Sequence, residues 1–273
     1  KAGAGAWSTA TALNTGRTVQ ATAGIQTAGL CSGGNPAPSR ALSEEWNGSA
    51  WAEGDNLQTA RSSFRGTGTQ TAALAVGGAP PANGTGATEE YNGTSWSEQS
   101  DRNAGYNLGL AGTQTAGLAM GGYDGGGMNE VDEYDGSSWT AGGNYPASVY
   151  NITGIGTQTA ALGLGGTPGL GAKAKEYDGS SWSEGGDLPG DWAWTQGAGT
   201  QTAAISAFDG SCATYNGTAW SEVGDLNTPR REGDGSNAGT SAATSYYAGG
   251  DPGPSACEEW DDPSLVTATF TSS

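Results

Sequence analysis

Residues 68–96 read GTQTAALAVGGAPPANGTGATEEYNGTSW. The early part, TAALAV, is a short apolar run closed by two glycines, which is the pattern of a buried β-strand. The late part places Asn92-Gly93 shortly before Trp96, and Asn-Gly tolerates the positive φ angles that tight hairpin turns need. The stretch therefore predicts short antiparallel strands joined by turns, and nothing in it predicts a helix.

Both parts of this stretch recur along the chain. Copies of the GTQTA string start at Gly24, Gly68, Gly112, Gly156 and Gly199, and a degenerate copy, GTSAAT, starts at Gly239. The third residues of these copies are 44, 44, 44, 43 and 40 residues apart. Copies of the EEYNGTSW string end at Trp51, Trp96, Trp139, Trp182 and Trp220, and the last copy has Leu265 in the Trp position. The chain thus consists of one unit repeated six times.

Four short strands per unit at this period predict an all-β fold, a six-bladed β-propeller with four antiparallel strands per blade. A solenoid would need capping repeats, whereas a ring closes on itself. We expect one domain over residues 1–273. In the second unit the predicted strands are Ser62–Gly66, Thr71–Val76, Glu89–Tyr91 and Ser95–Glu98.

The two chain ends suggest how the ring closes. Trp7 lies 19 residues before Gln26, as Trp51 lies 19 before Gln70, so the chain begins with an outer strand that has no partners of its own. The last unit lacks this strand. We therefore expect Ala6–Thr9 to pair into the blade of the C-terminal unit, so that N- and C-terminal strands close the last blade. The β-prone tail Leu265–Phe270 competes for the same edge.

Composition excludes several classes of function. The net charge is −18, so the chain repels nucleic acid and anionic lipid, and no apolar run is long enough to span a bilayer. The sequence has no histidine, no nucleophile motif and no metal-ligand spacing, so we expect no catalytic residues, no metal and no cofactor. Three cysteines form no disulfide framework. Because the chain begins at Lys1 rather than Met, we expect a processed protein or a fragment.

The Gly-Gly after an apolar strand, followed by an aromatic residue and a Trp, resembles the Kelch repeat. The literal GTQTA and EEYNGTSW strings also resemble repeat proteins of marine phage and bacteria, many of which are virion or surface proteins. Kelch-type copper radical oxidases need histidine ligands, which this chain lacks. In sialidase Asp-boxes the Asp, Gly and Trp have a different spacing from YDGSSW. The resemblance thus indicates architecture and leaves an enzyme as a distant third alternative.

Residues that repeat in most units are interpreted as structural. The Trp that ends each EEYNGTSW string could offer a ring of sugar-stacking platforms, but packing between blades is the favoured reading. An acidic residue precedes the aromatic residue of that string at Glu45, Glu90, Glu133, Glu176 and Glu259. Metal binding is one reading. A polar contact to backbone or to Arg17, Arg61 or Arg230 is the favoured one.

Departures from the repeat point to a candidate site. Arg17, Arg61 and Arg230 each lie ten residues after a Trp, and the other units carry Tyr106, Val149 and Trp192 at that spacing. Loops that vary between units share one face of the propeller, opposite the uniform GTQTA and Asn-Gly turns. We predict ligand binding on this variable-loop face through the aromatic residues Trp192, Trp194, Tyr106, Tyr123, Tyr145 and Tyr150. Trp192 or Trp194 should be partly exposed there.

These observations favour a non-catalytic binding module that recognises a glycan or a protein at a virion or cell surface, as a phage tail or receptor-binding protein does. A structural protein of a particle or filament, as part of a larger assembly, is the alternative, followed by a glycan-active enzyme. The expected location is extracellular or on a virion surface. The expected partners are a glycan or a surface protein, with no nucleic acid and no membrane insertion.

Overall fold

The computed structural model describes residues 5–37, 39–80, 84–103, 105–230, 233–235, 243–249 and 255–262. These ranges form an all-β propeller of four-stranded antiparallel blades, with a single 3-10 turn at Ser39–Ala41. No helix within them is long and apolar enough to cross a membrane.

Strand β1 (Ala6–Ala10) precedes five blades in which four consecutive strands pair in chain order. Blade 1 contains β2 (Ala21–Ile25), β3 (Ala28–Ser32), β4 (Ser43–Trp46) and β5 (Trp51–Glu53). Blade 2 contains β6 (Arg65–Thr69), β7 (Ala72–Val76), β8 (Thr88–Tyr91) and β9 (Trp96–Glu98). Blade 3 contains β10 (Gly109–Thr113), β11 (Ala116–Met120), β12 (Val131–Tyr134) and β13 (Trp139–Ala141). Blade 4 contains β14 (Thr153–Thr157), β15 (Ala160–Leu164), β16 (Ala174–Tyr177) and β17 (Trp182–Glu184). Blade 5 contains β18 (Gln196–Thr200), β19 (Ala203–Phe208), β20 (Ser211–Tyr215) and β21 (Trp220–Glu222).

A further four-stranded sheet, the closing sheet, joins the two ends of the chain. It contains β22 (Gly233–Gly235), β23 (Ala243–Gly249) and β24 (Cys257–Asp261), with β1 as its outer strand. Trp7 lies opposite Trp260 in the β1–β24 pair, and their ring centroids are 5.4 Å apart. The predicted pairing of the N-terminal strand with the C-terminal unit is therefore confirmed. The tail Leu265–Phe270 lies outside the described residues.

The strand boundaries of the second unit agree with the prediction except in the innermost strand. That strand runs over Arg65–Thr69 rather than Ser62–Gly66. Ser63 has φ of 58°, a left-handed conformation that an extended strand cannot contain. Gly68, at φ 96°, lies inside the strand because glycine tolerates this angle next to the two-residue turn.

The hydrophobic core lies between adjacent blades. Leu74 and Val76 of blade 2, for example, form one fully buried cluster with Leu108 and Leu110 from the start of blade 3. The innermost strands of consecutive blades also contact one another. Each blade therefore buries its apolar faces only against its neighbours.

The repeated glutamine of the GTQTA string clamps each blade to the preceding one. In blade 4 the Gln158 amide donates to the carbonyls of Gly117, at 3.0 Å, and Tyr134, at 2.8 Å, both in blade 3. The pairs of hydrogen bonds made by the other blades have the same form, with donors Gln70, Gln114 and Gln201. These hydrogen bonds explain why glutamine recurs in the string, since a turn alone would not require a glutamine side chain.

The repeated tryptophans pack within and between blades, in agreement with the favoured reading. The Trp96 ring lies 5.1 Å from the Tyr91 ring across the β8–β9 pair. Its indole N–H donates to the Ser43 hydroxyl of blade 1, and Trp139 donates in the same way to Thr88 of blade 2. Tilted aromatic pairs at this distance stabilise the outer strands beyond the area they bury.

The repeated acidic residue contacts a tyrosine of the next blade, and the proposed contact with arginine is wrong. The Tyr134 hydroxyl donates to Glu90 at 3.0 Å and the Tyr177 hydroxyl donates to Glu133 at 2.8 Å. Two further pairs follow the same rule, Tyr91 with Glu45 and Tyr215 with Glu176. Burial and the adjacent carboxylate raise the pKa of Tyr134.

The arginines instead meet the acidic residue one position earlier, because successive strand residues face opposite sides of the sheet. Arg17 pairs with Glu44, and this carboxylate also accepts the backbone N–H groups of Asn14, at 2.8 Å, and Thr15, at 3.1 Å. Arg61 with Glu89 and Arg230 with Glu258 repeat the arrangement. Each carboxylate thus fixes the loop that enters the innermost strand.

Candidate site on the variable-loop face

The two kinds of variable loop meet at the start of each innermost strand. Short antiparallel bridges join the entering loop of a blade to the loop between its second and third strands. They pair Thr18 with Asn35, Ser62 with Ala79, Tyr106 with Tyr123 and Tyr150 with Thr167. Each bridge lies directly beside the innermost strands, so the bridged residues surround the propeller axis at the variable-loop face.

A ring of backbone hydrogen bonds holds these bridges in place. The ring residues are Val19, Ser63, Asn107, Asn151 and Trp194, and all five have left-handed φ angles between 50° and 67°. From the second residue onward, each N–H donates to the carbonyl of the ring residue in the preceding blade, at 2.8 to 3.3 Å. We call this arrangement the axial ring. Left-handed backbone at non-glycine residues costs free energy, so the ring persists because the hydrogen bonds and neighbouring loops enforce it.

Three tyrosines lie together beside the axial ring. The Tyr123 ring lies between Tyr106, at a centroid distance of 5.4 Å, and Tyr150, at 5.1 Å. The rings are tilted by 60° and 70°, and all three side chains are only partly buried. Trp194, also partly buried, belongs to the axial ring itself. We call these four residues the axial aromatic group; they account for four of the six predicted ligand-binding residues.

The assignment of Trp192 to an exposed binding surface is wrong. Trp192 is 6% exposed and packs with Leu188, and its ring stacks on Phe208 at 6.5 Å. Its backbone N–H donates to the carbonyl of Gly171 at 2.8 Å. Trp192 fills, with an apolar ring, the place that Arg61 fills in blade 2. The prediction that one of the two tryptophans is partly exposed holds through Trp194.

The assignment of Tyr145 is wrong as well. Tyr145 is 1% exposed, and its ring lies 4.8 Å from the Trp182 ring. It occupies the position six residues after the repeated Trp, where other units have the buried leucines Leu13, Leu57, Leu188 and Leu226. Gly163 makes room for it, because a Cβ there would lie 2.8 Å from the tyrosine ring. The six-residue spacing from the repeated Trp could have indicated that Tyr145 is buried, because leucines at the same spacing are buried.

Tyr106 is likewise not the counterpart of the arginines, although its place on the face is as predicted. In blade 3, Gly105 occupies the backbone position that Arg61 occupies in blade 2. The backbone N–H of Gly34 donates to the Arg61 carbonyl, and the N–H of Gly78, one blade further on, donates to the Gly105 carbonyl. Arg102 supplies the missing charge and pairs with Asp132 at 2.9 Å. The loop that enters blade 3 is thus one residue shorter than in the other units, which places Tyr106, ten residues after Trp96, in the bridge with Tyr123.

A polar cleft of about 400 Å³ lies farther from the axis and was not predicted from the sequence. Its lining includes Thr59, Thr85, Glu98 and Asp101. Glu98 accepts the Thr59 hydroxyl at 3.3 Å, and Asp101 accepts the N–H of Thr88 at 3.2 Å. The carboxylates therefore already have partners within the loops.

The described residues of this face contribute aromatic contacts and hydrogen bonds. Among the residues with described positions, no group of three or more His, Cys, Asp or Glu side chains could hold a metal ion. The three cysteines are buried and form no disulfide bond, and burial raises the pKa of the Cys212 thiol to about 12.

No protein-family model matches the chain, and a search of curated proteins finds no match.

Proposed function

We propose that the domain is a non-catalytic binding module that recognises a glycan or a protein at a virion or cell surface through its variable-loop face. The observation that carries the proposal is the axial aromatic group, in which Tyr106, Tyr123, Tyr150 and Trp194 remain partly exposed. Most other large aromatic side chains of the described ranges are buried between or within blades.

Partly exposed aromatic rings suit recognition because they combine a large apolar face with few rotatable bonds. Here the backbone bridges and the axial ring fix the positions of the four residues. A preorganised site loses little conformational entropy when it binds, so more of the contact energy appears as affinity.

An array that presents both glycans and surface proteins tests this function. We expect the wild-type chain to bind a restricted set of ligands, and Tyr123→Ala to weaken binding by about tenfold or more, because Tyr123 contacts both neighbouring tyrosines. Ile25→Thr on the opposite face is the control, since Thr occupies the same position in later units, as in Thr69. If Tyr123→Ala leaves binding intact and Ile25→Thr abolishes it, the ligand binds the GTQTA face and the proposed binding face is wrong.

We also propose that the closing sheet acts as the sixth blade of a closed, Kelch-like ring. Support comes from its four antiparallel strands and from the contacts of β22 with the innermost strands of blades 5 and 1. A density map of the purified protein tests this. Six equivalent blades about one axis would support it, and an open gap between blades 5 and 1 would contradict it.

An assembly function is the second candidate, favoured by the opposite face. Ile25 is 44% exposed there, and an apolar cleft of about 200 Å³ lies between the GTQTA turns of blades 2 and 3. Sedimentation of the wild-type chain and of Ile25→Thr tests it. Ordered polymers that the substitution dissolves would favour assembly, and a monomer at all concentrations would exclude self-assembly.

An extracellular or virion-surface location is part of the proposal and rests on the resemblance of the repeat strings to surface repeat proteins. Antibody labelling of intact source cells or particles tests it. Labelling only after lysis would contradict the proposed location.

A further inference from the structure

The polar cleft of blade 2 has a filled counterpart in blade 4. Asp101 and Asp187 occupy equivalent positions, because each lies five residues after the repeated Trp of its blade. Ala87 and Lys173 are equivalent as well, because the carbonyl of each accepts the N–H of the first glycine after the second strand of its blade, at 2.9 and 2.8 Å. The two blades therefore present the same loop framework with different side chains.

In blade 4 this place holds two ion pairs. The Lys173 ammonium donates to the Asp187 carboxylate at 2.7 Å, and this hydrogen bond, together with the charge of the carboxylate, raises the pKa of the lysine. Lys175 pairs with Glu184, which lies two residues after the repeated Trp. Both carboxylates of blade 4 are thus paired with an ammonium group of the same chain.

Blade 2 has neither lysine. Alanine occupies the position of Lys173. The position of Lys175, opposite the outer-strand glutamate, is occupied by Glu89, and the Glu89 carboxylate pairs with the buried Arg61. The one guanidinium behind the cleft is therefore already neutralised by Glu89.

Two carboxylates of the cleft consequently have no cationic partner. Asp101 and Glu98 are both exposed, each accepts one hydrogen bond from an uncharged donor, and neither forms an ion pair with any residue whose position is described. Ala87 has no side chain beyond Cβ, so the space that Lys173 fills in blade 4 forms part of the cleft of about 400 Å³ in blade 2. The cleft thus offers room and negative charge where blade 4 has an ammonium group.

The rest of the lining suits a sugar. Thr59, Thr85 and Gln99 add hydroxyl and amide groups, which can donate to and accept from sugar hydroxyls. The volume of the cleft lies in the range of small-molecule sites. The cleft also adjoins the axial aromatic group, because Thr85 forms a backbone bridge with Gly105, the residue before Tyr106.

We propose that the cleft of blade 2 binds the ammonium group of an amino sugar, in the place that the Lys173 ammonium occupies in blade 4. Asp101 and Glu98 accept charge-assisted hydrogen bonds from this group. The inference rests on the proposed function and names its ligand class, a glycan with free amino groups. The net charge of −18 favours such a ligand, because it attracts cations and repels acidic glycans.

Calorimetric titration of the intact chain with the trimers of glucosamine and of N-acetylglucosamine tests the proposal. At about pH 6 the glucosamine amines are protonated and exposed carboxylates are ionised, whereas acetylated amines carry no charge. We expect the glucosamine trimer to bind, and the N-acetylglucosamine trimer to bind at least about threefold more weakly, because exposed ion pairs are individually weak. Equal affinities for the two trimers would overturn the proposal.

Two variants assign the binding to blade 2, and blade 4 supplies the control. Asp101→Asn keeps an acceptor for the Thr88 N–H and removes the charge, so it should weaken binding of the glucosamine trimer at least about threefold. Ala87→Lys copies the ion pair of blade 4 and should abolish binding. Asp187→Asn, the control, should leave binding unchanged. Binding that Asp101→Asn and Ala87→Lys do not alter, or that Asp187→Asn weakens as much as Asp101→Asn does, would show the assignment to be wrong.

Two further measurements separate this inference from its alternatives. If a lysine-containing peptide binds through Asp101 and the glucosamine trimer does not, the ligand is a protein lysine and the amino sugar is wrong. Binding of the glucosamine trimer that needs Asp101, while Tyr123→Ala weakens no ligand, would support the cleft and count against the axial aromatic group. Array ligands that need Tyr123 but bind Asp101→Asn as they bind the wild type would overturn the inference and leave the proposed function standing.

Discussion

Replacing Gln158 with Ala should remove one defined contact between blade 4 and blade 3. The side chain donates two hydrogen bonds, to the carbonyls of Gly117 and Tyr134, at 3.0 and 2.8 Å. At about 1 kcal/mol net for each, the loss is about 2 kcal/mol. For a domain of this size, that corresponds to a fall in Tm of about 4–8 °C.

Thermal unfolding followed by circular dichroism measures this change, and Gln26→Ala is the matched control. Gln26 occupies the same position in the string but donates one hydrogen bond of 3.2 Å, to the exposed carboxylate of Asp261. We expect Gln26→Ala to lower Tm by less than about 3 °C. If Gln158→Ala changes Tm no more than Gln26→Ala does, the glutamine is a turn residue and the clamp is wrong.

Gln158→Glu refines the test because it keeps the shape and removes the donors. The charged carboxylate would face the Gly117 and Tyr134 carbonyls, so its pKa should rise in the folded state. A raised pKa means that stability is retained below the unfolded value, about 4.3, and lost as pH rises through the folded value. Gln158→Glu should therefore be closest to wild type near pH 4, and an equal deficit at all pH values would contradict the contact.

Three further outcomes are expected. Tyr145→Leu and Gly163→Ala should each lower Tm. The double variant should be more stable than the sum of the two losses in Tm predicts, because the two substitutions together restore the residues of the repeat. Strictly additive losses would contradict this packing. Deleting residues 1–11 removes β1 and should lower Tm by several degrees, and an unchanged Tm would show that β1 does not close the ring. Burial and Glu90 raise the pKa of Tyr134, so its contribution to stability is complete below about pH 10 and lost above it; Tyr134→Phe should reduce the fall in Tm between pH 9 and 11, and an unchanged fall would refute the contact.

Much of the architecture could be predicted because it depends on local, repeated chemistry. Asn-Gly turns, apolar strands closed by Gly-Gly and a fixed Trp spacing specify four antiparallel strands per blade, and the unpaired Trp7 strand indicates how the chain ends meet. The sequence predicted six blades, whereas the described residues form five blades and a closing sheet. The shifted innermost strand of blade 2 was missed because Ser63 adopts a left-handed conformation that only the ring of hydrogen bonds enforces.

The site was less predictable because burial depends on neighbours in other units. Trp192 and Tyr145 depart from the repeat as Tyr106 does, yet both fill space within the core. A departure from a repeat can reflect ligand binding or compensating packing, and the sequence alone does not distinguish them. Besides the Trp spacing, a second departure signalled the burial of Tyr145: Gly163 in β15, which packs against the Tyr145 ring.

The repeated side-chain contacts between blades, made by the glutamine, the tyrosine and the tryptophan of each unit, also have a direction along the chain. The clamp from Gln158, the hydroxyl of Tyr177 and the indole of Trp182 all reach back from blade 4 to blade 3, and the other blades follow the same rule. During synthesis, each blade that leaves the ribosome therefore finds its acceptors already folded on the blade made before it. Blade 1 is the exception, because its acceptor Asp261 is translated after blade 5, so the first of the five blades to be made is the last to become fully bonded.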